Sequence, residues 1–318
     1  MSEAQVPSRW KCAVIQLHPE PMQLEDNFNR AQDFIRKAAE AGARLAVLPE
    51  YSLTSWVPDD PEFADAHVDG KYLSKFCELA KECDINIVPG TFVEKHVDGG
   101  KRMLYNVAYF ISNEGKVLGS YTKKNLWHTE RAHLEAGGDN PHTILDTPIG
   151  KVGLLICWDL ACTPPLPARL GEEIACREVD LRHSSRSIPG TYNAGRKTKH
   201  HLGEGTLLDL TEPALRWNPK SEAIYLGSTV ISRAFENTSC IAFANVGGRE
   251  DSGFAGLSQI AMPLMGDIAK AEGTHEQMII GEVDMEILRD AEESYKVRED
   301  ISRPDFHYPV HGDFMRKQ

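Results

Sequence analysis

The stretch Lys151-Val152-Gly153-Leu154-Leu155-Ile156-Cys157-Trp158-Asp159-Leu160 decides how this chain is read. Its apolar run from 152 to 156 has the length of a buried strand and stops at a thiol. A cysteine delivered by a strand and released at a turn is placed to act as a nucleophile. Two other segments share the form. In RLAVLPEYSL (44–53) a strand over 45–49 ends on Glu50, and in VLGSYTKKNLWHTER (117–131) a strand over 117–121 ends beside Lys123 and Lys124. A carboxylate, an amine and a thiol, each at a strand end, point to one shared site.

Outward from these segments, strands alternate with amphipathic helices, which predicts a layered α/β fold. Strands are expected over 12–17, 45–49, 85–92, 104–112, 116–120, 152–157, 240–246, 258–262 and 277–284. Helices are expected over 24–41, 70–82 and 220–237, with a short one at MEILRDAE (285–292). Gly42 closes the first helix, since glycine permits the left-handed residue found at helix ends. Asn113-Glu114-Gly115 joins two strands as a tight hairpin. Residues 1–318 read as one unit with a core over about 10–290, because no repeat, low-complexity tract or linker divides them. The polar, proline-containing tail over 291–318 reads as an extended arm.

The stretch over about 161–205 breaks the pattern. Pro164, Pro165 and Pro167 oppose a helix interior, and the residues after them are basic and Ser- and His-rich, without either apolar period. A buried strand belongs here in such an architecture, and none is evident, so the stretch is expected to be atypical and without order. Two origins fit it: an inserted substrate loop, or translated sequence from a retained intron or shifted frame. The jump in composition favours the second.

With 47 acidic against 35 Lys and Arg side chains the net charge is −12, spread along the chain. That excludes nucleic acid and anionic membranes as partners, because both require clustered cations. No apolar run approaches the ~18 residues of a membrane span, and the N-terminus lacks a signal-peptide pattern, so a cytoplasmic protein is expected. Seven cysteines at irregular spacing fit neither a disulfide framework nor a zinc site. No metal or organic cofactor is implied.

Cleavage of an amide or nitrile needs a nucleophile, a base to ionise it, a donor for the oxyanion and an acid for the departing nitrogen. Cys157 supplies the first, Glu50 the base and later the acid, and a lysine with the Trp158 backbone N–H the third. Each residue has a plainer reading alone: an inert core thiol, a solvated strand-end carboxylate, a surface amine. Their matching settings decide between the readings.

These segments, with NPKSEAIYLGSTVISRAFENTSCIAFANVGG (218–248), GFAGLSQIAMPLMG (253–266) and YKVREDISRPDFHY (295–308), resemble the nitrilase, or carbon-nitrogen hydrolase, superfamily. The resemblance covers nearly the whole chain except 161–205. It implies a four-layer αββα sandwich, homodimerisation by stacking of sandwiches, and a C-terminal arm packed on the partner. The family pattern across Tyr121 to Leu126 assigns the amine to Lys123, and the second glutamate matches Glu130. Tyr51 and Trp127 are candidate cleft walls, although both residue types more often pack. Trp158 and Asp159 complete the proposed oxyanion and substrate contacts. The implied reaction is thioester-forming hydrolysis of an amide or carbamoyl substrate, because Cys-Trp-Asp departs from the Cys-Trp-Glu of nitrilases. Hydrolysis of a nitrile is the alternative enzyme reading, and a non-catalytic scaffold is the alternative of another class. Where the family carries Phe-Pro-Glu and a strand after the cysteine, this chain does not, although Arg169 stands where a family arginine does.

Overall fold

The computed structural model describes residues 6–67, 69–138, 142, 144–162, 173–179, 217, 218, 220–249, 254–303 and 305. The strands fall in two blocks along the chain. β1 (Arg9–Gln16), β2 (Ala43–Val47), β3 (Asn86–Val88), β4 (Thr91–Asp98), β5 (Lys101–Ile111) and β6 (Val117–Thr122) come first. β7 (Ile144–Thr147), β8 (Gly150–Ile156), β9 (Glu173–Val179), β10 (Cys240–Asn245), β11 (Gln259–Met262) and β12 (Gly266–Lys270) come next, and β13 (Gln277–Asp284) ends the series. The first block and β13 build one sheet, in the order β13-β1-β2-β3-β5-β4 with β6 also on β5; β12-β11-β10-β9-β8-β7 is the other.

The period of β1 shows why these sheets stack. Cys12 and Val14 face a core shared with Val152, Leu154, Ile156 and Phe243 of the second sheet. Ala13 and Ile15 face the opposite way, into a core with α1 (Leu24–Glu40) and α2 (Lys71–Cys83). A strand apolar on both faces is buried on both, so the sheet lies between helices and a second sheet. α1 meets it with Phe28, Ala31, Ile35 and Ala38, one stripe at helical spacing, and Gly42 at φ +79° ends the turn after it. On the far side α4 (Ser221–Glu236) covers the second sheet with Leu226, Val230 and Ala234. The layers are helix, sheet, sheet, helix, as expected. Among the described residues no helix is long and apolar enough to cross a membrane.

Four expectations change. The single strand over 85–92 is two, β3 and β4, broken at Pro89-Gly90, where Gly90 takes φ +88° and the chain bends against Pro49 and Ser52. β7 and β12 are short hairpin partners with too few residues to show a period.

The third concerns the atypical stretch. β9, sequence EIACREV, lies within it, pairing in parallel with β8 and β10. The missing strand is therefore present. Both neighbours offer unpaired N–H and C=O groups that a strand must meet, so sheet position prevails over an unpromising sequence. Among 161–205 only 161, 162 and 173–179 are described; the expected disorder and the position of Arg169 otherwise lie outside the described residues.

The fourth concerns the tail. It is not wholly extended: α5 (Met285–Tyr295), capped by Asp284 accepting from the Glu286 N–H at 3.0 Å, runs past 291, and α6 (Val297–Ser302) comes after it. Residues 304 and 306–318 lie outside the described residues.

Candidate active site

Three chain segments leave strand ends toward one buried cluster. Glu50 lies after β2 in a turn laced to the β3–β4 break. The Leu48 N–H donates to the Val88 carbonyl at 2.9 Å, the Tyr51 N–H to Thr91 Oγ1 at 3.0 Å, and Ser52 Oγ to the Pro89 carbonyl at 2.7 Å. Gly90 makes this close approach possible, since a Cβ there would lie 2.5 Å from Ser52 Oγ. Lys123 lies just past β6, its backbone N–H donating to the Asn106 carbonyl at 2.9 Å. Glu130 opens a single helical turn, Glu130–Ala132.

The Lys123 side chain is fully buried and lies between two carboxylates. Its Nζ donates to Glu50 Oε1 at 2.8 Å and sits 2.8 and 2.7 Å from Glu130 Oε1 and Oε2. Burial alone would lower the Lys123 pKa, but Cys157, Glu130 and Glu50 outweigh it and hold the ammonium well above the usual lysine range. Cys157 therefore acts electrostatically on the same ammonium. Tyr51, buried at φ +50°, donates from Oη to Glu130 Oε1 at 2.7 Å. Its phenol is pushed well above the ordinary value by burial first, then by Glu130 and Glu50, with Cys157 also contributing.

Cys157 is buried at φ +49°, a left-handed conformation unusual for a residue with a side chain. The turn it heads is anchored from three directions. α3 (Asp159–Cys162) begins two residues on, and the Leu160 N–H donates to the Cys157 carbonyl at 2.9 Å. From α4, Arg233 Nε donates to the Leu160 carbonyl at 3.1 Å. Asp159 supplies the third anchor. Its Oδ1 accepts from the Asn125 N–H at 2.9 Å and Asn125 Nδ2 at 2.8 Å, and its Oδ2 from Tyr121 Oη at 2.9 Å and the Ile156 N–H at 3.1 Å. With four donors on a fully buried carboxylate, Asp159 ties the cysteine turn to the lysine loop. Tyr121, its partner, is pushed far above its ordinary pKa by burial and then by Asp159.

The Trp127 and Trp158 rings meet edge to face, 4.3 Å between centroids, and the Trp127 backbone N–H donates to Glu130 Oε2 at 2.7 Å. The sequence thus brings Glu50, Lys123, Glu130 and Tyr51 into direct contact. Lys124, the alternative amine, is only partly buried. The sequence reading missed Asn106, whose Nδ2 donates to Glu50 Oε1 at 2.6 Å and to Tyr51 Oη at 2.9 Å. Its signal was a lone amide preceding the otherwise apolar segment from Val107 to Ile111. Among the described residues no group of three His, Cys, Asp or Glu side chains is arranged to hold a metal.

The sequence profile of the family described as carbon-nitrogen hydrolase matches residues 11–293. The chain belongs to that family. Human omega-amidase NIT2 is 28% identical to this hydrolase over 299 residues, covering 91% of this chain and 93% of its own. A nitrilase of Pyrococcus abyssi is 26% identical over 284 residues, covering 88% and 91%. Among solved structures, Saccharomyces cerevisiae Nit3, a member of branch 10 of the nitrilase superfamily, superposes with a TM-score of 0.71 at 22% identity, over 94% of this chain and 97% of its own. A mutant of the Nesterenkonia sp. AN1 amidase in complex with butyramide superposes at 0.66 and 21% identity, over 90% and 95%. The hydrolase therefore has the mixed α/β nitrilase-superfamily fold and is a carbon-nitrogen hydrolase.

Proposed function

We propose that this hydrolase cleaves the carbon–nitrogen bond of an amide or carbamoyl substrate through a thioester on Cys157. The observation that carries the reading is the buried ammonium of Lys123, held between Glu50 and Glu130. Glu50 accepts the thiol proton, and Sγ attacks the carbonyl carbon. The oxyanion forms beside the Lys123 ammonium and the Trp158 N–H. Collapse breaks the C–N bond, and the nitrogen leaves as ammonia or an amine with the proton that Glu50 returns. Water deprotonated by Glu50 then attacks the thioester, releasing the carboxylic acid and restoring the thiol. Trp127, Trp158 and Tyr51 are the proposed aromatic walls.

The amidase name of the human relative supports an amide over a nitrile, as does Asp159 in place of a glutamate. Nitrile hydrolysis has its own support in the Pyrococcus relative. The test is ammonia release across a panel of amides, carbamoyl compounds and nitriles, with intact-mass spectrometry. Cys157→Ala is expected to remain folded with no turnover and no adduct. Full turnover in that variant overturns the mechanism, turnover of nitriles alone favours the nitrilase reading, and wild-type protein that forms no adduct with any compound favours a scaffold.

A homodimer through α4 is also proposed, because Ile224, Tyr225 and Phe235 stand exposed there, with Phe235 stacked edge-on against Tyr295 at 4.8 Å. A monomeric mass in solution overturns that. A cytoplasmic location is also proposed, because seven cysteines at irregular spacing fit no disulfide framework.

A further inference from the structure

We infer that Asn106 is a positioning residue for proton transfer at Glu50, acting through the hydrogen bond it donates; this rests on the amidase reading above. Asn106 is fully buried on β5, and the next two residues, Val107 and Ala108, are buried and apolar. Its Nδ2 donates to Glu50 Oε1 at 2.6 Å and to Tyr51 Oη at 2.9 Å. These partners fix the amide's orientation. Turned over, it would set Oδ1 at 2.6 Å against a carboxylate oxygen, acceptor against acceptor.

The orientation leaves Oδ1 without a partner among the described residues. An unmet acceptor in a dry site is unfavourable, and an apolar side chain of the same size would avoid it. The amide therefore stands here for its donor. That donor performs two tasks. With Lys123 Nζ, which donates to the same Oε1 at 2.8 Å, it gives one oxygen of Glu50 two donors, favouring the ionised base and fixing its rotation. By donating to Tyr51 Oη it also turns the phenol's own proton toward Glu130, so one amide aligns both carboxylates that flank Lys123.

The test compares Asn106→Leu, Asn106→Ser and Asn106→Asp in the full chain. Each is assayed for kcat and KM against pH with the best amide of the panel, and for the pH dependence of Cys157 alkylation by iodoacetamide, which needs no turnover. Asn106→Leu is expected to melt somewhat lower than wild type at neutral pH, because Glu50 and Tyr51 Oη each lose a donor. Its kcat should fall ~10-fold or more with KM within about threefold, and the acid limb of kcat/KM and of alkylation should move up by about one pH unit. Asn106→Ser, which keeps a donor, should lie nearer wild type, and Asn106→Asp should be worse than Ser. A merely structural role predicts acid limbs unmoved in Asn106→Leu and Asn106→Ser alike, a result that overturns the inference. If Asn106→Leu does not fold, an acid limb unmoved in Asn106→Ala overturns it just as well. Turnover retained by Cys157→Ala sinks the amidase reading, whereas turnover that needs Cys157 with an unmoved limb in the Asn106 variants sinks only this inference.

Discussion

Replacing Lys123 by Met tests the charge arrangement at its centre. The side chain is 0% exposed, and its partners Glu50 and Glu130 are 1% and 5% exposed, so solvent cannot take over the role of the ammonium. Methionine fills a similar volume but leaves two carboxylates in a dry site without a cation. Removing one member of a buried ion pair costs ~3–5 kcal/mol, and the loss here should reach the upper half of that range because two anions are stranded. At ~2 °C per kcal/mol for a chain of this size, the melting temperature should fall by roughly 8–10 °C. The loss should narrow as pH drops into the carboxylate range, since protonation removes the stranded charge. Adding Glu130→Gln to Lys123→Met should recover part of the stability. A double-mutant cycle should show a coupling of ~1 kcal/mol or more between positions 123 and 130. Turnover should fall ~100-fold or more, because an oxyanion donor is lost as well. Thermal melts monitored by circular dichroism at pH 5 and pH 8 measure the first part, and ammonia release the second. A Lys123→Met protein that melts within 2 °C of wild type at both pH values, with additive effects of Glu130→Gln, would refute the reasoning.

Three further outcomes are expected. Gly90→Ala puts a methyl group against the Pro49 carbonyl and Ser52 Oγ at φ +88°, so it should cost ~2 kcal/mol or more and displace the Glu50 turn; a melt and a kcat equal to wild type would show that the turn adapts. At Cys157, where φ is +49°, the glycine variant should be about 1 kcal/mol more stable than the alanine variant while both are inactive, and a higher melt for Cys157→Ala would count against strain there. His67 has both ring nitrogens buried without partners among the described residues, and burial lowers its pKa from 6.5 to about 4. A base depressed in the folded state contributes stability above pH 6.5 that is lost as pH falls toward 4. By pH 5 the wild type should therefore have lost ~2 kcal/mol through this group. His67→Leu should be less acid-sensitive between pH 7 and 5, and identical acid sensitivity in chemical denaturation would exclude that role.

Glu50, Lys123 and Cys157 were legible because each ends an apolar run, and a polar group at the point where burial stops needs no tertiary knowledge to be noticed. The reading failed where meaning depends on which segment lies opposite. Asn106 stands inside a strand, where only the turn carrying Glu50 and Tyr51 makes its amide useful. Asp159 is close to the cysteine in sequence, but its tie to Tyr121 and to the loop after β6 shows only in the fold. EIACREV has no strand signature of its own and is a strand because β8 and β10 flank it. These failures have one physical source. Periodicity reports how a segment faces its layer, whereas hydrogen-bond donors are allotted between segments distant in sequence. Asp159 and Asn106 carry that second kind of information: one fixes the cysteine turn to the lysine loop, and the other fixes the carboxylate turn to β5. A cysteine strained at positive φ keeps its position only if its surroundings over-determine it. The two residues least visible in the sequence therefore help set the geometry on which the three most visible ones depend.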